Sequence, residues 1–113
     1  MVHSIASVLV ALFTMPVTDE MVDVKFRGTV DLRPFICTDT PRSTHVQRVC
    51  YDEAQSYLVI NVRGTYYQYC EMPLMTFNKF VTAPSMGRFY SQKIDGNGSS
   101  SPFDCRTHRV PIY

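Results

Sequence analysis

Residues 50–94 read CYDEAQSYLVINVRGTYYQYCEMPLMTFNKFVTAPSMGRFYSQKI, and this stretch decides the fold. Residues 57–62 (YLVINV) put Leu58, Ile60 and Val62 on one face and Tyr57, Val59 and Asn61 on the other, the period-two pattern of a strand. Arg63-Gly64 reads as a two-residue hairpin turn in which glycine supplies the positive φ. Residues 65–70 return as the partner strand, with Tyr67 and Tyr69 on one face and Tyr66, Gln68 and Cys70 on the other. Pro73 suits the first turn of a helix, where its missing N–H costs nothing. Leu74, Phe77 and Val81 follow at helical spacing, with Phe80 at the flank. Pro84 pushes Ala83 out of helical geometry and ends that helix. Ser85 then caps a second helix whose Met86, Phe89, Tyr90 and Ile94 line one face.

Upstream, residues 45–51 predict another strand, and residues 22–30 (VDVKFRGTV) a short one that Gly28 disturbs. Residues 31–44 carry Pro34, Pro41 and several Asp, Thr and Ser, and read mostly as loop. Downstream, residues 95–102 (DGNGSSSP) form a polar glycine-rich loop, followed by a tail pinned by Cys105. The pattern predicts a small α+β domain: an antiparallel sheet of three to four strands with one or two short helices on one face. Its expected core is Val46, Val49, Leu58, Ile60, Val62, Tyr67, Tyr69, Leu74, Phe77, Val81, Met86, Phe89 and Ile94.

With 113 residues the chain is one domain with an adequate but thin core, so covalent staples would help. Charge is nearly balanced, 11 Lys and Arg against 10 Asp and Glu, with the signs interspersed. That argues against a dedicated nucleic-acid binder, which would carry a basic stripe. Residues 5–17 are almost wholly apolar, too short to span a bilayer but as long as the apolar region of a signal peptide. No Lys or Arg precedes them and no Ala-x-Ala site follows, so a buried first element is the alternative reading.

Cys37, Cys50, Cys70 and Cys105 are an even number in a short chain, with no Cys-x-x-Cys and no zinc-type His spacing. Two disulfides fit better than a metal site, and no cofactor is expected. Three connectivities are open and spacing does not choose among them. Cys37 with Cys50 and Cys70 with Cys105 is favoured, because each pair ties an irregular segment to the core. The apolar segment and the cysteines together point to a periplasmic or secreted protein, with a cytoplasmic one as the alternative.

The order Tyr51-Asp52, Leu-x-Ile-x-Val, Gly-Thr-Tyr-Tyr-x-Tyr, Met-Pro and Ala-Pro-Ser-Met-Gly-Arg-Phe-Tyr resembles the KTSC domain over residues 43–94. Its Tyr-x-Tyr is matched by Tyr67 and Tyr69, its Tyr-Asp by Tyr51 and Asp52, and its Ser-x-Gly by Ser85 and Gly87. An asparagine usual after the aromatic pair Phe89-Tyr90 is Ser91 here, and four cysteines are not general to the family. The family takes its name from an appendage at the C-terminus of some lysyl-tRNA synthetases and includes small stand-alone bacterial proteins. The four cysteines suggest an exported subgroup with its own additions: residues 1–20 as an apolar or signal segment, 21–42 as an N-terminal extension and 95–113 as a loop and tail. The family's function is not established, and its association with the synthetase suggests RNA binding.

The candidate binding residues are Tyr66 and Gln68, expected to be exposed, with Arg63, Ser85, Arg88 and Lys93. Arg48, Arg63, Arg88 and Lys93 would frame a phosphate or carboxylate, and exposed tyrosines would stack on bases. Against that stand the usual behaviour of tyrosine, which packs and hydrogen-bonds, and of surface cations, which stay solvated. No nucleophile with a positioned base, facing carboxylate pair, phosphate loop or metal-ligand spacing is present, so a non-enzymatic interaction module is expected. Its partner would be a protein or an envelope component; RNA or single-stranded nucleic acid is the alternative.

Overall fold

The computed structural model describes residues 20–96 and 100–113; the apolar run at residues 5–17 lies outside them. Among the described residues the chain forms β1 (Met21–Val24), β2 (Gly28–Asp31), β3 (Ile36–Asp39), β4 (Val46–Asp52), β5 (Tyr57–Val62) and β6 (Thr65–Tyr69). The helices α1 (Leu74–Val81) and α2 (Met86–Phe89) follow, and α2 runs on through Tyr90–Ile94 with wide π-type turns. The strands make one sheet in the order β2-β1-β6-β5-β4-β3.

The fold class is α+β, but the expected three to four antiparallel strands are corrected to six in a mixed sheet. Residues 22–30 are a hairpin rather than one interrupted strand. Phe26 and Gly28 take φ of 65° and 98°, which folds β2 back on β1. β1 then docks parallel to β6 at Val24 and Tyr66, where Lys25 N donates to Tyr66 O at 2.9 Å. Within the region read as loop, β3 pairs antiparallel with β4, and Cys37 stands directly opposite Cys50. The polar and proline residues around β3 hide it, because four residues on a sheet edge need little apolar patterning.

The chain buries both faces of the central strands. On one face Val46, Val49, Leu58, Ile60 and Tyr69 meet Phe80, Met86, Tyr90 and Ile94. On the other, Cys50, Tyr57, Val59 and Cys70 meet Val22, Val24, Val30, Leu32 and Phe35, supplied by the β1–β2 hairpin and the link to β3. The alternation read in β5 holds, and the N-terminal extension belongs to the same sheet.

One core assignment needs correction. Phe80, expected at the flank of α1, is 0% exposed, while Leu74, expected inside, is 42% exposed; Phe77 and Val81 are half-buried. Spacing alone leaves the helix free to rotate, and the segment before it sets the angle. Met72 is fully buried, its N donates to Ser56 O at 2.7 Å, and its O accepts from the Tyr51 hydroxyl at 2.7 Å. Phe77 then stacks on Tyr51 with centroids 4.3 Å apart.

At the β5–β6 turn Arg63 and Gly64 have φ of 53° and 92°, the mirror-image turn that suits a twisted hairpin. Asn61 Oδ1 accepts from Gly64 N at 2.8 Å. A Cβ at Gly64 would meet no neighbour, so a substitution acts through backbone conformation alone. Gly64→Val is expected to cost about 1–2 kcal/mol, read as a fall in denaturation midpoint. An unchanged midpoint would mean the turn does not need its left-handed glycine.

Candidate functional site

Two of the tyrosines that carry the resemblance, Tyr51 and Tyr69, are hydrogen-bonded within the fold. Tyr51 donates to Met72 O, and Asp52, buried, accepts from the Tyr113 hydroxyl at 2.7 Å. Tyr69 and Tyr90 meet edge to face with their hydroxyls 2.5 Å apart, and Tyr69 donates to Asp95 Oδ1 at 3.2 Å. Burial holds the Tyr69 hydroxyl far above the ordinary phenol range and pushes Tyr90 up to about 12. Both stay protonated and tie β6 to the segment after α2. Tyr67 is half-buried against the same helical face.

Tyr66 and Gln68, expected to be exposed, are half-buried on the opposite face. Gln68 Oε1 accepts from the Tyr57 hydroxyl at 2.8 Å, and Tyr66 accepts from Arg48 Nη1 at 3.3 Å. Arg48 is itself engaged by Glu20 at 2.7 Å and Asp39 at 3.6 Å, so its charge is compensated within the fold. The hydrogen bond to Glu20 raises the Arg48 pKa further. Tyr66 and Gln68 therefore form no open stacking platform.

Three of the predicted residues do converge. Arg63, at the hairpin tip, and Ser85 and Arg88, at the start of α2, face a groove whose floor is the lead-in to β4. The groove consists of two hollows of about 480 and 420 Å³ that share His45 and Ser91. Lys93 does not line it. Its geometry is held from the backbone outward. Arg42 donates to Ala83 O and Val81 O, both at 2.9 Å, satisfying carbonyls at the end of α1. Ser43 Oγ accepts from Val46 N at 3.1 Å, and Arg63 N donates to His45 O at 3.1 Å. Ser85 Oγ accepts from Arg88 N at 3.2 Å, as a capping serine should.

Gly87 has a specific reason to be glycine. A Cβ there would lie 3.2 Å from His45 Nδ1, so the imidazole rests against the helix backbone. The Ser-x-Gly pattern thus caps the helix and admits the His45 ring. The sequence does not show Arg42, His45 and Ser91 as groove residues, since nothing local marks side chains that meet only when β4, the hairpin and α2 pack together.

Arg42, Arg63 and Arg88 line the groove and no Asp or Glu does. In a chain of formal charge +1 this is a local excess of guanidinium, which favours carboxylate or phosphate oxygens. Elsewhere, Cys105 is disulfide-bonded and His108 Nδ1 is engaged with Asp104 O at 2.9 Å, so the neighbouring pair offers no thiol. Among the described residues no three His, Cys, Asp or Glu side chains gather to hold a metal, and no helix is long and apolar enough to cross a membrane.

This is a small disulfide-linked α+β domain with a cationic groove between its hairpin tip and its second helix. Residues 42–97, about half of the chain, match the family model of the KTSC domain. The crystal structure of a KTSC domain protein from Yersinia pestis is 28% identical, with a TM-score of 0.52 over 55% of this chain and 87% of its own. No curated protein matches the chain. The segment 42–97 is thus placed with the KTSC domain by sequence and by fold, and the function of that domain is uncharacterised.

Proposed function

We propose that this chain is an exported KTSC protein that acts as a non-catalytic binding module, its groove receiving an anionic group of an envelope component. One observation supports export above the rest. Each disulfide joins a residue outside the 42–97 match to one inside it: Cys37 to Cys50, and Cys105 to Cys70. The bonds therefore secure the chain's own additions to the shared core, an arrangement common in oxidising compartments and rare in reducing ones. Glu20 is part of the fold, because its O accepts from Leu32 N at 2.9 Å and its carboxylate pairs with Arg48. Removal of a leader would accordingly stop short of Glu20.

The groove supports nucleic acid as a second reading, because three arginines without a carboxylate would also suit phosphodiesters. Export ranks it lower. The test takes protein from its native cells, measures intact mass and free thiols, and titrates a short single-stranded oligonucleotide at low and physiological salt. Loss of a leader before Glu20, no free thiol and no binding tighter than the millimolar range are expected. Four free thiols, or micromolar binding that falls steeply with salt and vanishes in Arg63→Ala/Arg88→Ala, would reverse the ranking.

A further inference from the structure

A second cleft, of about 690 Å³, lies between the β1–β2 turn, β6 and the segment after Ser100. Two of its three walls come from outside the 42–97 match, so it is built by this chain's additions. Its volume is within the about 300–1,000 Å³ common for small-ligand sites. We propose that it binds a saccharide bearing an acidic substituent.

The apolar part of the recognition comes from Phe26 and Tyr67. Phe26 is 92% exposed and sits at φ 65°, a left-handed conformation that a bulky side chain seldom adopts. An aromatic ring held in water on strained backbone serves no packing purpose, and such strain collects at ligand sites. The ammonium of Lys25 lies 5.4 Å from the centroid of Phe26 and 5.6 Å from that of Tyr67, so the two rings hold one cation between them. Lys25 has no ion pair among the described residues.

The polar part comes from groups with hydrogen-bonding capacity that the fold leaves over. Gln68 uses its Oε1 on Tyr57 and keeps its amide hydrogens. Asp95 takes the Tyr69 hydroxyl on Oδ1, leaving Oδ2. Arg106 spends Nε and Nη2 on Asp104, leaving Nη1. A pyranose ring presents an apolar C–H face and a rim of hydroxyls that both donate and accept. Aromatic rings cover the first, and interleaved donors and acceptors satisfy the second. Asp95 and Asp104 repel a polyphosphate, in contrast with the carboxylate-free groove. A single carboxylate on the sugar would meet Lys25.

The test titrates ¹⁵N-labelled full-length protein with a tetramer of galacturonic acid and, separately, with the uncharged glucose tetramer cellotetraose. Amide shifts are expected at Lys25, Phe26, Arg27, Tyr67, Gln68 and Tyr69, with the acidic oligomer binding more tightly. Phe26→Ala should weaken binding about tenfold, as loss of an aromatic anchor does, without lowering the melting temperature. Lys25→Gln should remove the preference for the acidic oligomer. Arg63→Ala should change neither result, which separates this cleft from the groove. No shift with either oligomer, shifts unaltered by both substitutions, or shifts confined to Arg63 and Arg88 would overturn the proposal.

Discussion

Reduction of both disulfides is expected to unfold this protein, or to lower its melting temperature so far that it unfolds near physiological temperature. Cys70–Cys105 spans a sequence separation of 35 and Cys37–Cys50 one of 13. Loop-closure entropy assigns them about 4 and about 3 kcal/mol. Their sum rivals the ~5–15 kcal/mol by which small domains are stable at all. The consequences should differ by bond. Loss of Cys37–Cys50 frees the four-residue edge strand β3, whereas loss of Cys70–Cys105 frees the tail that carries Tyr113 to Asp52. Melting followed by circular dichroism, with and without a phosphine reductant, measures the total, and Cys37→Ala/Cys50→Ala and Cys70→Ala/Cys105→Ala apportion it. A melting temperature that survives verified full reduction would show that the hydrophobic layers suffice without the bonds.

Phe80→Ala should destabilise the domain by about 3–5 kcal/mol, the usual range for emptying a fully buried phenylalanine site. Phe80 sits among Tyr69, Met86, Tyr90 and Ile94, and its ring lies 5.8 Å from that of Phe89. Leu74→Ala, on the same helix but 42% exposed, should cost well under half as much. Denaturant midpoints for the two variants test the rotation of α1 directly. Were Leu74→Ala the costlier change, the helix would be turned as its bare periodicity suggests, with Phe80 on the flank.

Spacing places three apolar residues on α1 but does not say which neighbour is nearest the sheet. The hydrogen bonds of Met72 to Ser56 and Tyr51 decide that, and they join residues 16 and 21 positions apart. The same limit explains the sites. Ser85, Arg88 and Arg63 were legible as candidates because a capping serine and a hairpin-tip arginine are local features. Arg42, His45 and Ser91 were not, since their meeting depends on packing. Alternation marks Tyr66 and Gln68 as the face opposite the helices, and nothing in β6 shows that Arg48 and Tyr57 engage them there.

The amino-acid sequence alone was enough for the α+β class, the β5–β6 hairpin and its glycine turn, and the break at Pro84, each of which rests on interactions within a few residues. The choice among three cysteine pairings came instead from the packed chain. Only the tertiary structure decided that six strands form, that the N-terminal hairpin closes the second face, which side of α1 is buried, and that a cationic groove and an aromatic cleft result. Those outcomes depend on long-range burial, and the apolar residues responsible, Val22, Val24, Val30 and Phe35, carry no local mark of the surface they will cover.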